Sequence, residues 1–370
     1  TNKSSLLNHG DIVFADTSED IEGSGNFTQL ITSQKVFAGY HTVITRPKKK
    51  HISRFLAYLF DSSEYRKQIQ NTVKGVKVFT ISQAILKGTS IWIPSPDEQQ
   101  KIANFLDHET AKIDTLIAKQ EKLIELLKEK RQAVISHAVT RGLNPNAPMK
   151  DSGVEWLGEV PEHWNVTGFK KYIESIVDYR GKTPNKTDSG VFLVTARNIK
   201  KGIIDYSLSN EFISEEDYST VMSRGTPNIG DVLFTTEAPL GQVANVDNID
   251  IALAQRVIKF SGKKGILDNY FFKYFIMSEE FQTSLNLFAS GSTVKGIKAE
   301  RFVYLRKLIP PLSEQKEIVR HIETQLKRFD LLISKADAGI DLMKERKTAL
   351  ISAAVTGKID VRDWNINNDQ

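Results

Sequence analysis

Apolar side chains between residues 98 and 138 fall at Ile102, Leu106, Ile113, Leu116, Ile117, Leu123, Ile124, Leu127, Val134 and Ile135. Spacings of three and four dominate, which marks one face of an α-helix. Pro94 and Pro96 close the stretch ahead of it, Asp97 is placed to cap, and Glu98 sits in the first turn, where the helix dipole favours an acid. Gly142 and Pro145 stop it. About 41 residues at 1.5 Å each make a rod of roughly 60 Å. The same pattern predicts a second rod from Glu314 to Val355, capped by Ser313 and stopped by Gly357. GDVLF (230–234), VANV (243–246), RVIKF (256–260) and VYLRKLIP (303–310) are rich in β-branched and aromatic residues and read as strands. NYFFKYFIMSEEFQTSL (269–285) reads as one helix from its aromatic spacing.

The two rods are copies. Residues 93–140 shifted by 216 land on 309–356 without a gap, with 19 identities in 48 positions. Ile93-Pro94 meets Ile309-Pro310, Glu98-Gln99 meets Glu314-Gln315, and Asp114 meets Asp330. KEKRQAVISHAVTRG (128–142) meets KERKTALISAAVTGK (344–358). Upstream, Phe55, Tyr58 and Ser62 meet Phe271, Tyr274 and Ser278, and Gly10-Asp11 echoes Gly230-Asp231. Such a register marks duplication of one unit, a mixed module followed by a long helix. A lone rod with an apolar stripe needs a cover, and the simplest is its own duplicate, packed as an antiparallel two-helix coiled coil. The expected fold is α+β, two mixed modules with a pseudo-twofold repeat of long helices. The layout expected is a first module at 1–96, a helix at 97–141, a Pro/Gly-rich linker at 142–155, a second module at 156–312, a helix at 313–357 and a tail at 358–370. Trp156 lies 74 residues before Gly230 and only nine precede Gly10, so about 65 residues (74 minus 9) are expected ahead of Thr1.

Composition narrows the chemistry. There is no cysteine, which excludes disulfides and thiolate metal sites and suits a reducing cytoplasm. The net charge of +5 permits nucleic-acid binding without requiring it. No apolar run approaches the roughly 18–20 residues of a membrane span. Phosphate-binding and dinucleotide loops, G-x-S-x-G and H-E-x-x-H are absent. The seven histidines are scattered without helical metal spacing. The glycine-rich loop and the Asn/Asp-Pro-Pro-aromatic motif of an adenine methyltransferase are missing too. Catalysis is therefore not expected from this chain. Basic, small-residue loops are the informative feature: DYRGKTPNKT (178–187), TARNIKKG (195–202), ASGSTVKGIK (289–298), and in the first copy RPKKKH (46–51) and NTVKGVK (71–77). Small residues let backbone amides approach phosphates, Lys and Arg neutralise them, and Arg, Asn and Gln read base edges.

DSGVEWLGEVPEHW (151–164), the two I-P-x-x-x-E-Q helix starts, the KEKRQAVISHAVTRG ending, GDVLF and TARNI together resemble the specificity subunit of type I restriction–modification systems. The resemblance spans essentially the whole chain. It implies two target-recognition domains that each read half of a split site in double-stranded DNA, with the helices as a spacer. It implies a non-catalytic, cytoplasmic subunit that holds no cofactor of its own. The implied partners are two methyltransferase subunits, which use S-adenosylmethionine, and two restriction/translocation subunits, which use ATP and Mg. Residues expected near DNA are Tyr179, Arg180, Lys182, Arg197, Asn198, Lys200, Gln255, Arg256, Ser292, Thr293 and Lys295 in the second domain. In the first they are Thr17, Ser18, His41, Lys74 and Lys77.

Three alternatives stay open at this level. One is the specificity partner of a related system whose nuclease and methylase are fused. Another is a coiled-coil scaffold that spaces two protein-binding modules. The third is a nuclease using the carboxylates of EFISEED (211–217). The spacer role has a direct test. Lengthening one rod by a full turn is expected to widen the unread gap in a split methylation motif by about one to two base pairs at roughly 3.4 Å each. An unchanged gap rules the role out.

Overall fold

The computed structural model describes residues 5–48, 53–75, 77–181, 184–291 and 295–365. They form two compact units, one of residues 1–124 and 334–370, the other of residues 125–333. Each unit takes half of each long helix, so the division cuts across the expected one.

In unit 1 the elements run β1 (Ile12–Ala15), β2 (Thr17–Ser18), β3 (Phe27–Gln29), β4 (Thr42–Thr45), α1 (Ser53–Asp61), α2 (Ser63–Gln70), β5 (Phe79–Thr80), α3 (Gln83–Gly88) and the first long helix, α4 (Pro96–Arg141), which continues into unit 2. β1 is the centre of an antiparallel sheet ordered β3-β1-β4, and β2 pairs with β5. Unit 2 holds β6 (Met149–Asp151), β7 (Glu159–Pro161), β8 (Asn165–Gly168), β9 (Ile173–Asp178), β10 (Val191–Val194), β11 (Ile199–Lys200), β12 (Ile203–Ile204) and β13 (Phe212–Ile213). It goes on with α5 (Glu215–Val221), β14 (Val232–Thr235), β15 (Val243–Asn245), β16 (Ile251–Leu253), β17 (Val257–Gly262), α6 (Asn269–Met277), α7 (Glu279–Phe288), β18 (Arg306–Ile309) and α8 (Leu312–Val355). Its main sheet is antiparallel, ordered β15-β14-β17-β9. A smaller sheet, β13-β10-β16, pairs β10 with β16 in parallel.

Burial follows the sequence pattern with local corrections. In unit 2, Phe169 is fully buried and packs against Phe260, Phe272, Phe281 and Phe302, with ring centroids 5.1–5.5 Å apart. The aromatic segment 269–285 is two helices, not one. Ser278 ends α6 in an extended conformation, and its Oγ accepts from the Phe281 amide to cap α7. A serine that caps competes with helix continuation, which the apolar spacing alone cannot reveal. Of VYLRKLIP only Arg306–Ile309 is strand, and a 3₁₀ turn covers Ala299–Tyr304. At the start of α4 the capping side chain is Ser95, which accepts from the Glu98 amide at 3.3 Å, and Asp97 lies inside the first turn. Helix α8 begins at Leu312, so Ser313 is within it. The apolar stripe is wider than the face that is covered: Leu116 and Leu123 remain 50% and 44% exposed, whereas Leu106 and Ile135 are buried.

The repeat appears as reciprocal contacts within each unit. In unit 1, Ile102 and Leu106 at the start of α4 share a core with Ile351, Ala354 and Val355 at the end of α8, and Lys347 pairs with Asp114 at 2.6 Å. In unit 2, Ile135, Ala138 and Val139 share a core with Ile318 and Ile322, and Arg131 pairs with Asp330. The helix segments therefore run antiparallel in both. Shifted by 216, Asp114 becomes Asp330 and Arg131 becomes Lys347, so the two ion pairs are one contact made twice. The helix ends repeat the logic. Ser352 Oγ of α8 accepts from the Ser63 amide at 2.9 Å, capping α2. Ser136 Oγ of α4 accepts from the Glu279 amide at 2.8 Å, capping α7. Each long helix thus ends on the module of the other copy.

A buried aspartate follows the Gly10 and Gly230 turns in both copies. Asp231 accepts from Lys259 Nζ at 2.9 Å, Ser261 Oγ at 2.6 Å and the Asn228 amide at 2.9 Å. Asp11 accepts from the Arg46 guanidinium and the Asn8 amide. Burial alone would push Asp11 up, but Arg46 and that amide together hold its carboxyl below the usual range. The Lys259 and Asp231 side chains are only 4% and 5% exposed. Removing one partner of such a pair leaves a buried charge uncompensated. Asp231→Ala is expected to cost about 3–5 kcal/mol, read as a lowered thermal midpoint of the intact chain. A midpoint unchanged from wild type would show that Lys259 reaches water in the variant.

Candidate nucleic-acid interface

The ends of the central strands form the same corner in both units. In unit 2 the chain leaves β14 at Thr236, whose amide donates to the Arg256 carbonyl at 3.0 Å just ahead of β17. The Ile297 amide donates to the Thr236 carbonyl at 3.0 Å, and Glu237 lies opposite Gly296. In unit 1 the chain leaves β1 at Asp16, whose amide donates to the His41 carbonyl at 3.0 Å just ahead of β4. The Ile81 amide donates to the Asp16 carbonyl at 2.7 Å, and Thr17 lies opposite Thr80. The backbone frame is shared, and the outward side chains are not. Glu237 stands where unit 1 has Thr17, Arg256 where it has His41, and Gln255 where it has Tyr40.

Unit 2 builds a cavity of about 240 Å³ beside this corner, lined among others by Lys186, Thr195, Arg197, Ala238, Gln255 and Arg256. Five chain segments, spread from residue 184 to residue 256, meet there. Arg197 is exposed, whereas Arg256 Nε lies 2.9 Å from Glu237 Oε1 and Lys186 Nζ lies 2.8 Å from Glu211 Oε2. Pro184 also borders a second hollow of about 250 Å³, lined by Arg180, Asp217 and Arg224 among others. The Arg180 guanidinium folds back on the Asp178 carboxylate, which raises an already strongly basic group. Arg224 Nη1 donates to the Asp178 carbonyl at 2.6 Å and to the Arg180 carbonyl.

Two expected contacts are corrected. Asn198 is fully buried. Its Oδ1 accepts from the Thr195 amide and hydroxyl, and its Nδ2 donates to the carbonyls of Asp205 and Ser209. It has no group left for a base and acts as the brace that presents Arg197. Tyr179 is 7% exposed. Its hydroxyl donates to the Gly225 carbonyl at 2.6 Å, and burial pushes its phenol pKa up. It anchors the turn that carries Arg180. Both were read as contacts because neighbours in a basic loop cannot be sorted by direction from sequence.

The remaining residues are at the surface. Lys200 and Lys295 are exposed, and Gln255 is half-buried. In unit 1, Thr17, His41, Lys74 and Lys77 are exposed and Ser18 is half-buried. His41 has a φ of +61° and its Nδ1 lies 3.5 Å from Asp16 Oδ2. Lys182, Ser292 and Thr293 lie outside the described residues. Glu237, Arg224 and the 98% exposed Tyr40 belong to these surfaces and were not anticipated. Lining FADTSED (14–20) up with FTTEAPL (234–240) marks the divergence at Glu237, and β4 against β17 does the same for Tyr40.

The model of the type I restriction modification DNA specificity domain matches residues 1–126 and 167–338, and the chain belongs to that family. It is 25% identical over 373 residues to the type I restriction enzyme MjaVIII specificity subunit of Methanocaldococcus jannaschii, covering 99% of this chain and 83% of that one. It is 24% identical over 334 residues to the EcoKI specificity subunit of Escherichia coli K12, covering 88% and 69%. Among solved structures, one described as "Structural basis underlying complex assembly and conformational transition of the type I R-M system" matches with a TM-score of 0.72 at 15% identity, over 96% of this chain and 83% of that one. The HsdS subunit of Thermoanaerobacter tengcongensis matches with a TM-score of 0.52 at 14% identity, over 96% and 82%. These structures share the fold. No helix among the described residues is long and apolar enough to cross a membrane.

Braces and presented residues separate on mutation. Asn198→Ala leaves buried amide and carbonyl groups unpaired and is expected to cost about 1–3 kcal/mol. Arg197→Ala, one residue away and exposed, is expected to stay within about 0.5 kcal/mol of wild type. Denaturant unfolding of the two variants decides it, and equal effects would remove the distinction.

Proposed function

We propose that the chain is the DNA sequence-specificity subunit of a type I restriction–modification complex, with each unit reading one half of a split site in duplex DNA. The observation that carries this reading is the pair of corners. The backbone frame and its hydrogen bonds are kept in both units, while the polar side chains that point outward differ. A duplicated reader of two different half-sites requires that combination, and a coiled-coil scaffold that spaces two protein-binding modules is told apart from it by the salt dependence of DNA binding. Arg197, Arg256, Arg180, Lys200 and Lys295 in unit 2, and His41, Lys74 and Lys77 in unit 1, supply the phosphate and base contacts.

The chain contributes recognition, not bond-breaking. Two methyltransferase subunits dock on the long helices, whose repeated surfaces present two similar sites, and two restriction/translocation subunits complete the assembly. S-adenosylmethionine belongs to the former, and ATP with Mg to the latter.

Mapping adenine methylation in cells that carry the chain with its cognate methyltransferase subunit tests this. The expected result is one motif of two short half-sites around a fixed unread gap. In vitro, affinity for duplex DNA is expected to fall steeply with salt, by about a thousandfold between 50 and 200 mM if some six phosphates are neutralised. Salt-insensitive binding, or no methylation with an active partner, would favour the protein scaffold.

A further inference from the structure

At the corner of unit 2, the Arg256 and Glu237 side chains are 50% and 44% exposed and touch at 2.9 Å. A pair this exposed does little for stability. Its backbone, by contrast, is held closely. Thr236 between them bonds twice to the Arg256 carbonyl, through its amide at 3.0 Å and its hydroxyl at 3.3 Å. Glu237 lies in a ladder position opposite Gly296, where an added Cβ would come within 3.3 Å of Glu237 Cβ. The next residue, Ala238, is at a φ of +49°, in the left-handed region that non-glycine residues seldom adopt. Both side chains thus project from the ends of β14 and β17 and not from a free loop, and rigid elements hold recognition geometry best.

The chemistry of the pair is directional. A guanidinium offers two donors in a fork, and the carboxylate beside it offers an acceptor. Donor, donor, acceptor is the complement of one base-pair edge in the major groove. A G·C pair presents N7 and O6 of guanine as acceptors and then N4 of cytosine as a donor. An A·T pair presents acceptor, donor, acceptor and leaves the second guanidinium donor facing a donor. In unit 1 the same frame holds Thr17 and His41, which do not make this set.

We infer that Arg256 and Glu237 together read one G·C pair in the half-site bound by unit 2, with Arg256 on guanine and Glu237 on cytosine N4. The inference rests on the proposed function and adds which positions carry specificity and for which base pair. Thr17, Tyr40 and His41 are the corresponding positions of unit 1, set for a different base step.

The experiment is methylation mapping with the full chain and its methyltransferase subunit, for wild type, Glu237→Ala, Arg256→Gln and Arg256→Lys. In wild type, one half-site is expected to contain an obligatory G·C pair. All three variants are expected to relax that one position by roughly ten- to a hundredfold, with the other half-site unchanged. Arg256→Lys keeps the charge and loses the fork, so it separates base reading from phosphate contact. If Arg256→Lys and Glu237→Ala keep the wild-type preference at every position, the pair touches only backbone and the inference is overturned. A variant without methylation is compared with wild type by competition binding of matched and singly substituted duplexes, where an unchanged ratio likewise overturns it. A wild-type chain that yields no split motif fails the proposed function itself, which is a separate result.

Discussion

The reciprocal ending of the long helices is the constraint on which the other features depend. Ser352 of α8 caps α2, and Ser136 of α4 caps α7, each across a core in which the end of one helix meets the start of the other. Neither copy of the repeat closes its own core. A contact made in one unit is repeated in the other with the two helices exchanged, as with Asp114–Lys347 and Asp330–Arg131, so a change at one position alters one contact and leaves its copy intact. The repeated contacts account for the 19 identities in 48 positions along the rods, while the modules between them drifted apart.

Within each module, stability and recognition occupy different atoms of the same strands. Asp11 and Asp231 take the same place under the sheet but are satisfied by different partners, Arg46 in one case and Lys259 with Ser261 in the other. What is kept is the satisfied buried carboxylate, not the identity of its partner, because an unpaired one would be costly in either unit. One step further along the chain, past Ala15 and Thr235, the backbone bonds persist while the side chains change freely. A frame of main-chain hydrogen bonds imposes no demand on the outward residue, so Thr17 can be exchanged for Glu237 at little cost to the fold.

Loop chemistry was legible in sequence only as far as its composition. TARNIKKG announces a basic turn, but Asn198 points inward to four hydrogen bonds while Arg197 points out, and both orientations suit a polar residue after a strand. Tyr179 and Arg180 divide in the same way. Ser278 broke the aromatic segment into two helices because a side-chain hydroxyl competed with the backbone ladder, a contest between local interactions of similar strength.

The sequence by itself determined the duplication, the two long helices, four strands of the second module (β14, β15, β17 and β18) and the absence of familiar catalytic motifs. These are readable because each rests on periodicity or on register between residues of one chain, and both survive projection onto a line. Tertiary structure alone decided that each unit draws on both helices, that Tyr179 and Asn198 are braces, and that Arg256 meets Glu237 beside Arg197. Those facts depend on contacts between residues far apart in the chain, such as Ser63 and Ser352, 289 positions apart, and on the direction a side chain takes from its backbone. Spacing along the chain carries neither.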